Sequence, residues 1–498
     1  MRKGRLVSGA ECGNELRVVG GELGHARNLP GRNEPGHRGV KARMSNEHFD
    51  LIAIGGGSAA RDGARKAKDE FGARVALIES TRWGGDCPNV ACRPTKAYLV
   101  AADLLHDIQT LAPKAGIEVG PAHANLAKVK ARKDALRATQ PQWVERLRAQ
   151  GFATYDGVAS FVDARTLQVG ETELTADRVL IATGSVTAVP SIEGLAEVGF
   201  VDHVTALELE QVPQSLLVLG AGPVGVEFAQ IFARFGSRVT LVQTAERISP
   251  RSDAEAAAEV AQALEQDGVE ILTSTTARRF ARDGDEIVAT LDPAGERRVA
   301  MVLVATGRKP DLEQLDLERA GIAYERRGIL VDEHLRTTAP GVWAAGDVAT
   351  RYQFTPIAQY EARLAVLDMF TDDAPATDYS ALPTAIFTDP ELASVGLSEE
   401  AAREQGLEFG TATHPLGSVT RAQYYDAKLG LYKLVFDPKS RKVLGIHVVC
   451  RGASDVVQGL AVALRLGATV DDLARVHHTY PSFGEGVKAA AERALSQM

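Results

Sequence analysis

Two thiols in the stretch "GGDCPNVACRPTK" are where chemistry can begin. The chain has 498 residues and four cysteines, and Cys87 and Cys92 are half of that complement. Cys12 and Cys450 stand alone in sequence. So few cysteines do not make a secreted disulfide framework, and a close pair in such a chain points to redox or metal chemistry. A structural zinc needs four ligands, and neither a second cysteine pair nor a nearby histidine supplies them. No resident metal is expected, and a transient soft metal ion at Cys87 and Cys92 is the one metal chemistry the pair offers. On a regular helix, five residues of rise would hold the two Cα atoms about 7.5 Å apart. A disulfide wants about 4.4–6.8 Å. A bridge between them must therefore distort the first helical turn, and Pro88, lacking an N–H, suits that entry. A closed disulfide at a helix N-terminus is easily reduced, because the dipole stabilises its thiolates.

The elements that must position this pair are legible on either side. "FDLIAIGGGSAA" reads as an apolar strand from Leu51 to Ile54, then Gly55-x-Gly57-x-x-Ala60, then a helical pattern through Lys68. A second strand, "ARVALIES", ends at Glu79. Gly55 permits the tight turn, Gly57 lets the backbone approach a pyrophosphate, and Ala60 lets helix pack on strand. The helix N-terminus supplies N–H donors and positive dipole to phosphate. Glu79 is placed to accept from ribose hydroxyls. The same pattern recurs in "SLLVLGAGPVGVEFAQIFARFGSRVTLVQ", with Gly220, Gly222 and Gly225. Two dinucleotide sites in one chain imply electron transfer between them, nicotinamide to flavin. The second strand of this unit is expected to end at Gln243, which is not an acid and so does not favour NADH. Arg247 and Arg251, just beyond, could reach a 2′-phosphate, which leans toward NADPH; both equally fit a solvated surface.

Composition sets the bounds. A chain this long exceeds one core and should form two to four domains. With 45% hydrophobic and 24% charged residues it reads as an ordinary globular protein. No apolar run reaches membrane-spanning length, and a net charge of −9 gives no electrostatic grip on nucleic acid. Neither membrane nor nucleic acid is an expected partner, and the expected location is cytoplasmic. Residues 1–44 hold nine Gly and nine Lys or Arg before Met44, with no apolar segment of the secretory kind. They are expected to be a disordered extension, with Met44 a natural start.

"GGDCPNVACRPTK" resembles the redox-active disulfide motif of the FAD-dependent pyridine nucleotide-disulfide oxidoreductases, a class that includes dihydrolipoamide dehydrogenase, glutathione reductase and mercuric reductase. The resemblance runs from about residue 47 to the C-terminus. It takes in "ATGS" at 182–185, "VATGRKPD" at 304–311, "VWAAGDVA" at 342–349 and "PTAIFTDPELASVGLSEEAA" at 383–402. It implies an α/β fold with two Rossmann-like dinucleotide-binding domains, for FAD and NAD(P), and a C-terminal α+β dimerisation domain. The implied boundaries are 45–184 for the first part of the FAD domain, 185–304 for the NAD(P) domain, 305–375 for the rest of the FAD domain and 376–498 for the interface domain. A homodimer is implied, bound to FAD and using NADPH or NADH.

Roles follow from the same resemblance. Cys92 would lie against the flavin, and Cys87 would be the interchange thiol facing an acceptor. Lys96 would approach flavin N5 and pair with Glu227, and Asp347 would hold the ribityl chain. Gly85, Thr183, Gly184, Gly307, Arg308 and Gly346 would line the cofactors. In the disulfide reductases of the class a His precedes a Pro near the C-terminus, five residues ahead of a Glu, and takes a proton from the interchange thiol. Here "HHTYPSFGEG" puts Tyr480 at that position, with His478 two residues earlier and Glu485 as the orienting acid. A phenol, with an ordinary pKa of about 10, is a poor base at neutral pH. Mercuric reductase is similar in carrying a Tyr there, and Hg(II) suits a dithiol without proton delivery to a leaving thiol. This chain, however, ends "AAAERALSQM", without the C-terminal cysteines usual in that enzyme. The expectation is an enzyme reducing a small-molecule or metal-ion acceptor, mercuric reductase-like. Dihydrolipoamide dehydrogenase or another disulfide reductase is the alternative, and a slow redox-sensing flavoprotein a further one.

Overall fold

The structure, a computed structural model, describes residues 47–350 and 352–498. The expected N-terminal extension lies outside the described residues.

The first sheet is assembled from two separated stretches of chain. Its strand Glu47–Ile54 pairs in parallel with Val75–Glu79 on one side and Thr172–Ile181 on the other, and Ala153–Asp156 extends it beyond Val75–Glu79. Val342–Ala344 returns from far downstream to lie parallel to Val179–Ile181. Leu51, Ile52, Ala53 and Leu77 are wholly buried, as a parallel sheet covered on both faces requires. The helix Ser58–Phe71 covers one face together with the helix Thr355–Phe370, and Gly63 lets the first of them approach the sheet, since a Cβ there would lie 2.8 Å from Leu180 Cδ2. The first strand begins at Glu47, earlier than the expected Leu51, because His48 and Phe49 continue the pairing. The helix runs past Lys68 to Phe71 and stops at Gly72, whose φ of 68° returns its N–H to the last carbonyls.

A second parallel sheet orders Glu270–Leu272, Arg238–Val242, Ser215–Leu219 and Met301–Val304. The helix Pro223–Arg234 follows its glycine turn, and an antiparallel meander, Thr276–Asp283, Glu286–Asp292 and Gly295–Val299, lies beyond. The strand expected to end at Gln243 ends one residue sooner, at Val242. Two short strands, Ser185–Thr187 and Arg308–Pro310, pair where the chain enters and leaves this region.

From Thr384 onward the chain forms a five-stranded antiparallel sheet, in the order Thr384–Ile386, Glu391–Gly396, Val443–Cys450, Leu431–Phe436 and Gly410–Pro415. The helices Ala453–Arg465 and Glu485–Gln497 turn their small residues onto it, with Ala453, Ala490, Ala491 and Ala494 fully buried. A buried cation ties this sheet to the second one. Lys433 reaches Asp253 at 3.0 Å, Glu255 at 2.8 Å and Glu399 at 2.9 Å. Among the described residues, no helix is long and apolar enough to cross a membrane.

Candidate active site

The expected distortion at the cysteine pair is a break between two helices. Cys87 belongs to the single turn Asp86–Asn89, and Cys92 opens the helix Cys92–His106. Between them Val90 and Ala91 leave helical geometry, at φ −140° and −123°. Asn89, buried, fixes the bend by donating to the carbonyls of Trp83 (2.9 Å) and Gly85 (2.7 Å). Both cysteines are thiols here, the reduced form of the couple. Cys92 Sγ lies 3.7 Å from the Thr355 hydroxyl, at the first residue of the helix Thr355–Phe370. Two helix N-termini therefore converge on the dithiol, and both favour an anion.

The two thiols share one proton. A hydrogen bond from Cys92 brings the Cys87 thiol down to about 6, against its own burial, with further help from Thr355, Arg61 and Lys96. The same hydrogen bond, burial and the Cys87 charge hold the Cys92 proton on well above the ordinary thiol range. The titration belongs to the pair, so near neutral pH the couple carries one negative charge.

Lys96 and Glu227 meet as expected. Lys96 Nζ lies 2.9 and 3.1 Å from the two Glu227 carboxylate oxygens. Glu227 is 5% exposed and also accepts the Phe387 N–H at 3.0 Å, while the Phe387 ring lies 4.2 Å from Lys96 Nζ. Phe387 comes from "PTAIFTDP", a stretch whose part in the site was invisible until the third sheet folded against the first two.

The glycine turns divide into positions the fold requires and positions it does not. Gly55, at φ 124°, would drive a Cβ to 2.3 Å from the Ala182 carbonyl oxygen, and Gly225 would place one 1.8 Å from that of Gly220. Gly220, at φ 95°, is equally confined, and Ala60 is wholly buried against the sheet. Gly57 and Gly222 differ. A Cβ on Gly57 would meet only Gly85 Cα, at 3.8 Å, and one on Gly222 would meet nothing within 4 Å. These two face open space at a helix N-terminus, a cradle that fits a pyrophosphate in each unit. Glu79 already accepts from its own chain: Gly56 N–H at 2.6 Å on one oxygen, Thr81 and Arg82 N–H at 2.7 and 3.1 Å on the other.

In the second sheet's unit, Gln243 turns its amide oxygen to the Thr244 N–H at 3.0 Å. Arg247, which the sequence allows either to reach a 2′-phosphate or to sit on a solvated surface, makes contacts within its own chain. Its guanidinium donates to the carbonyls of Pro250 and Ser252 and pairs with Glu400 of the C-terminal region at 3.2 Å. Only the tertiary contact with the helix Glu399–Glu404 could reveal this. Arg251 is exposed.

Thr183 donates to the Asp311 carbonyl at 2.9 Å, and Gly184 accepts the Asp311 N–H at 3.2 Å, which joins the two nucleotide-binding stretches. Gly346 donates to Glu361 at 2.7 Å, and burial raises that carboxyl to about 7. Asp347, itself raised by burial, accepts from Ser185 Oγ at 2.6 Å. Arg308, just after Gly307, donates to Ser185 Oγ, to the Ser185 carbonyl and to Asp86. Thr355 carries a readable signal, a Thr-Pro at a helix start; Glu361, Ser185 and Asp86 carry none.

The remaining predicted residues lie in a cluster of their own. Tyr480 is 70% exposed and follows no contact to the dithiol; among the described residues no hydrogen bond or ion pair joins Tyr480, His478 or Glu485 to Cys87 or Cys92. His477, His478, Glu485, Lys488, Ala489 and Glu492 line a surface cavity of about 310 Å³. Burial and Lys488 depress the His478 pKa, and Glu485 opposes them.

Comparison with known proteins agrees with this architecture. Residues 49–362 match the family described as pyridine nucleotide-disulphide oxidoreductase, and residues 382–491 match its dimerisation domain. A mercuric reductase of Streptomyces lividans is 38% identical over 462 residues, covering 90% of this chain and 97% of that protein. A mitochondrial dihydrolipoyl dehydrogenase of Pisum sativum is 32% identical over 460 residues, covering 90% and 91%. The HOCl-induced flavoprotein disulfide reductase RclA from Escherichia coli has a solved structure similar to this one, with a TM-score of 0.80, 29% identity and coverage of 89% and 99%. The same protein has been solved as a Cu(II) complex. The dimerisation-domain match supports a homodimer. The chain belongs to the pyridine nucleotide-disulphide oxidoreductases, an FAD-dependent enzyme family that uses NAD(P)H.

Proposed function

We propose that the chain is an NAD(P)H-dependent, mercuric reductase-like enzyme that reduces a soft metal ion held by Cys87 and Cys92. The observation that carries this reading is the pairing of a thiolate available near neutral pH, with Cys87 brought to about 6, and a tyrosine rather than an imidazole at position 480. A bis-thiolate grip on a cation needs no proton returned to a leaving thiol, whereas opening a disulfide substrate does. Bound FAD supplies the two-electron relay between nicotinamide and dithiol. Overall, NAD(P)H and Hg(II) give NAD(P)⁺, H⁺ and Hg(0).

In this reading Cys92 lies against the flavin and Cys87 faces the acceptor. Lys96, held by Glu227, would approach flavin N5 and stabilise negative charge there. The Gly57 and Gly222 turns would hold the two pyrophosphates, with Glu79 and Asp347 binding a ribose and the ribityl chain. Residues 45–184 and 305–375 form the FAD domain, 185–304 the NAD(P) domain and 376–498 the interface domain. The strand Val342–Ala344 within the first sheet supports that division. Tyr480 and Glu485 act in the active site of the partner subunit.

A second reading rests on His478, which sits beside Glu485 and would serve as the base of a disulfide reductase of the dihydrolipoyl dehydrogenase kind. Oxidation of NADPH and NADH is measured with Hg(II) in excess thiol, with Cu(II), and with lipoamide. Metal-dependent turnover lost in Cys87→Ala establishes the first reading. Turnover with lipoamide alone establishes the second and removes the first.

A further inference from the structure

A carboxylate stands immediately before Cys87. Asp86 is the first residue of the turn that carries the thiol, one residue before it in the chain. Unscreened, a like charge so near would raise the thiol pKa and oppose the reactivity the couple needs. The structure answers that charge from a distant part of the chain. Arg308 Nη2 reaches Asp86 Oδ2 at 2.5 Å, with its side chain 19% exposed and that of Asp86 38% exposed. The other Asp86 oxygen lies 3.5 Å from Arg82, on the same loop.

Arg308 is held on every side. Its Nε donates to Ser185 Oγ at 2.7 Å, its Nη2 to the Ser185 carbonyl at 2.5 Å, and its Nη1 meets His203 Nε2 at 2.9 Å. Asp347 lies 3.9 Å away. His203 is buried, and burial with the Arg308 charge keeps its imidazole neutral, so that it accepts from Arg308. Arg308 also belongs to the two-stranded pairing with Ser185–Thr187, through which the nicotinamide-side sheet joins the first one. A single guanidinium thus connects the turn bearing Cys87 to the junction between the two nucleotide-binding units. Four of its five N–H donors meet fixed partners, which preorganises it.

We propose that Asp86 and Arg308 form a positioning ion pair for the thiol at Cys87: Arg308 cancels the Asp86 charge and ties the redox turn to the junction strands. The proposal rests on the reading that Cys87 is the thiol facing the acceptor. Cys92, Thr355, Arg61 and Lys96 act on that thiol directly, and Asp86, one residue before it, is faced by Arg308 and Arg82.

The test uses the FAD-loaded full chain in a Cys92→Ser background, so that one thiol of the couple titrates. Iodoacetamide alkylation of the Cys87 peptide is followed by mass spectrometry across pH, with flavin absorbance as the check on loading. Removing the carboxylate in Asp86→Asn is expected to speed alkylation below the midpoint by roughly three- to tenfold, which is half to one pH unit. Arg308→Gln is expected to slow it by a similar factor, because Asp86 is then uncompensated except by the more distant, half-buried Arg82. The double variant is expected to return most of the way to the parent. An Asp86→Asn profile that matches the parent, or an Arg308→Gln profile that is not slowed, overturns the pair. If Arg308→Gln does not retain FAD, Asp86→Asn decides alone, since the sign of its shift is fixed. None of these readings uses an acceptor or turnover, so failure of the metal-reduction reading leaves them interpretable.

Discussion

Gly57→Ala separates a glycine needed by a ligand from one needed by the fold. A Cβ at Gly57 meets only Gly85 Cα, at 3.8 Å, an ordinary contact, and the backbone at φ −77° and ψ −167° suits any residue. Two small effects on the chain then oppose each other. Alanine narrows the unfolded ensemble, a gain of about 0.4–1 kcal/mol. Gly57 is also the N-cap of the helix Ser58–Phe71, where alanine is poorer than glycine by roughly 0.5–1 kcal/mol. They cancel to within about 1 kcal/mol, so the apoprotein should melt within about 4 °C of the parent. FAD binding should not survive so well, because the methyl occupies the space a pyrophosphate must enter. At least about tenfold weaker binding is expected, or about 1.4 kcal/mol. Circular dichroism melting of the apoprotein and quenching of FAD fluorescence on titration measure the two terms separately. FAD affinity within about threefold of the parent would refute the cradle assignment. Gly225→Ala is the contrast: its Cβ would lie 1.8 Å from the Gly220 carbonyl oxygen, so the second turn itself must move and melting should fall.

Lys96→Met leaves the 5%-exposed Glu227 carboxylate with only the Phe387 N–H, and should cost about 2–4 kcal/mol, discounted for the part-exposed lysine. Glu227→Gln keeps an acceptor for both donors and should cost less; thermal melting of the FAD-loaded proteins orders the two. The Cys87 thiol, at about 6 in the folded chain and higher when unfolded, contributes stability above the unfolded value that is lost as pH falls through about 6. Urea midpoints of the reduced protein should therefore rise with pH above 6 more steeply than those of Cys87→Ser, and parallel curves would remove the shift. Glu361, raised to about 7 by burial, binds its proton more tightly when folded. Its contribution to stability declines as pH rises from the ordinary carboxyl range toward 7, and Glu361→Gln should flatten that decline in melting temperature between pH 5 and pH 8.

Much of the site was written locally. The spacing of Gly55, Gly57 and Ala60, and of Gly220, Gly222 and Gly225, marks a strand–turn–helix in one short stretch, so each turn can be read before any tertiary contact is known. The same holds for the break at Cys87 and Cys92, because Pro88 and the five-residue spacing act within a single turn. The Lys96–Glu227 pair is different in kind. Its partners stand 131 positions apart, and it was anticipated only through resemblance to a family in which the two motifs occur together.

What the tertiary structure alone decided is where charge is spent. Arg247 looked available for a phosphate from its place after a strand, but Glu400 and two carbonyls hold it. Asp86, Arg308, Ser185 and His203 carry no common spacing and meet only when the short strands Ser185–Thr187 and Arg308–Pro310 pair. Phe387 reaches Glu227 in the same way, from a sheet built after both nucleotide turns. The sequence by itself determined the local devices: two glycine turns between strand and helix, and a close cysteine pair at a break between helices. Pairings across sheets depend on distances that no local pattern encodes, so the partner of each buried charge was settled only by the packing of the three sheets.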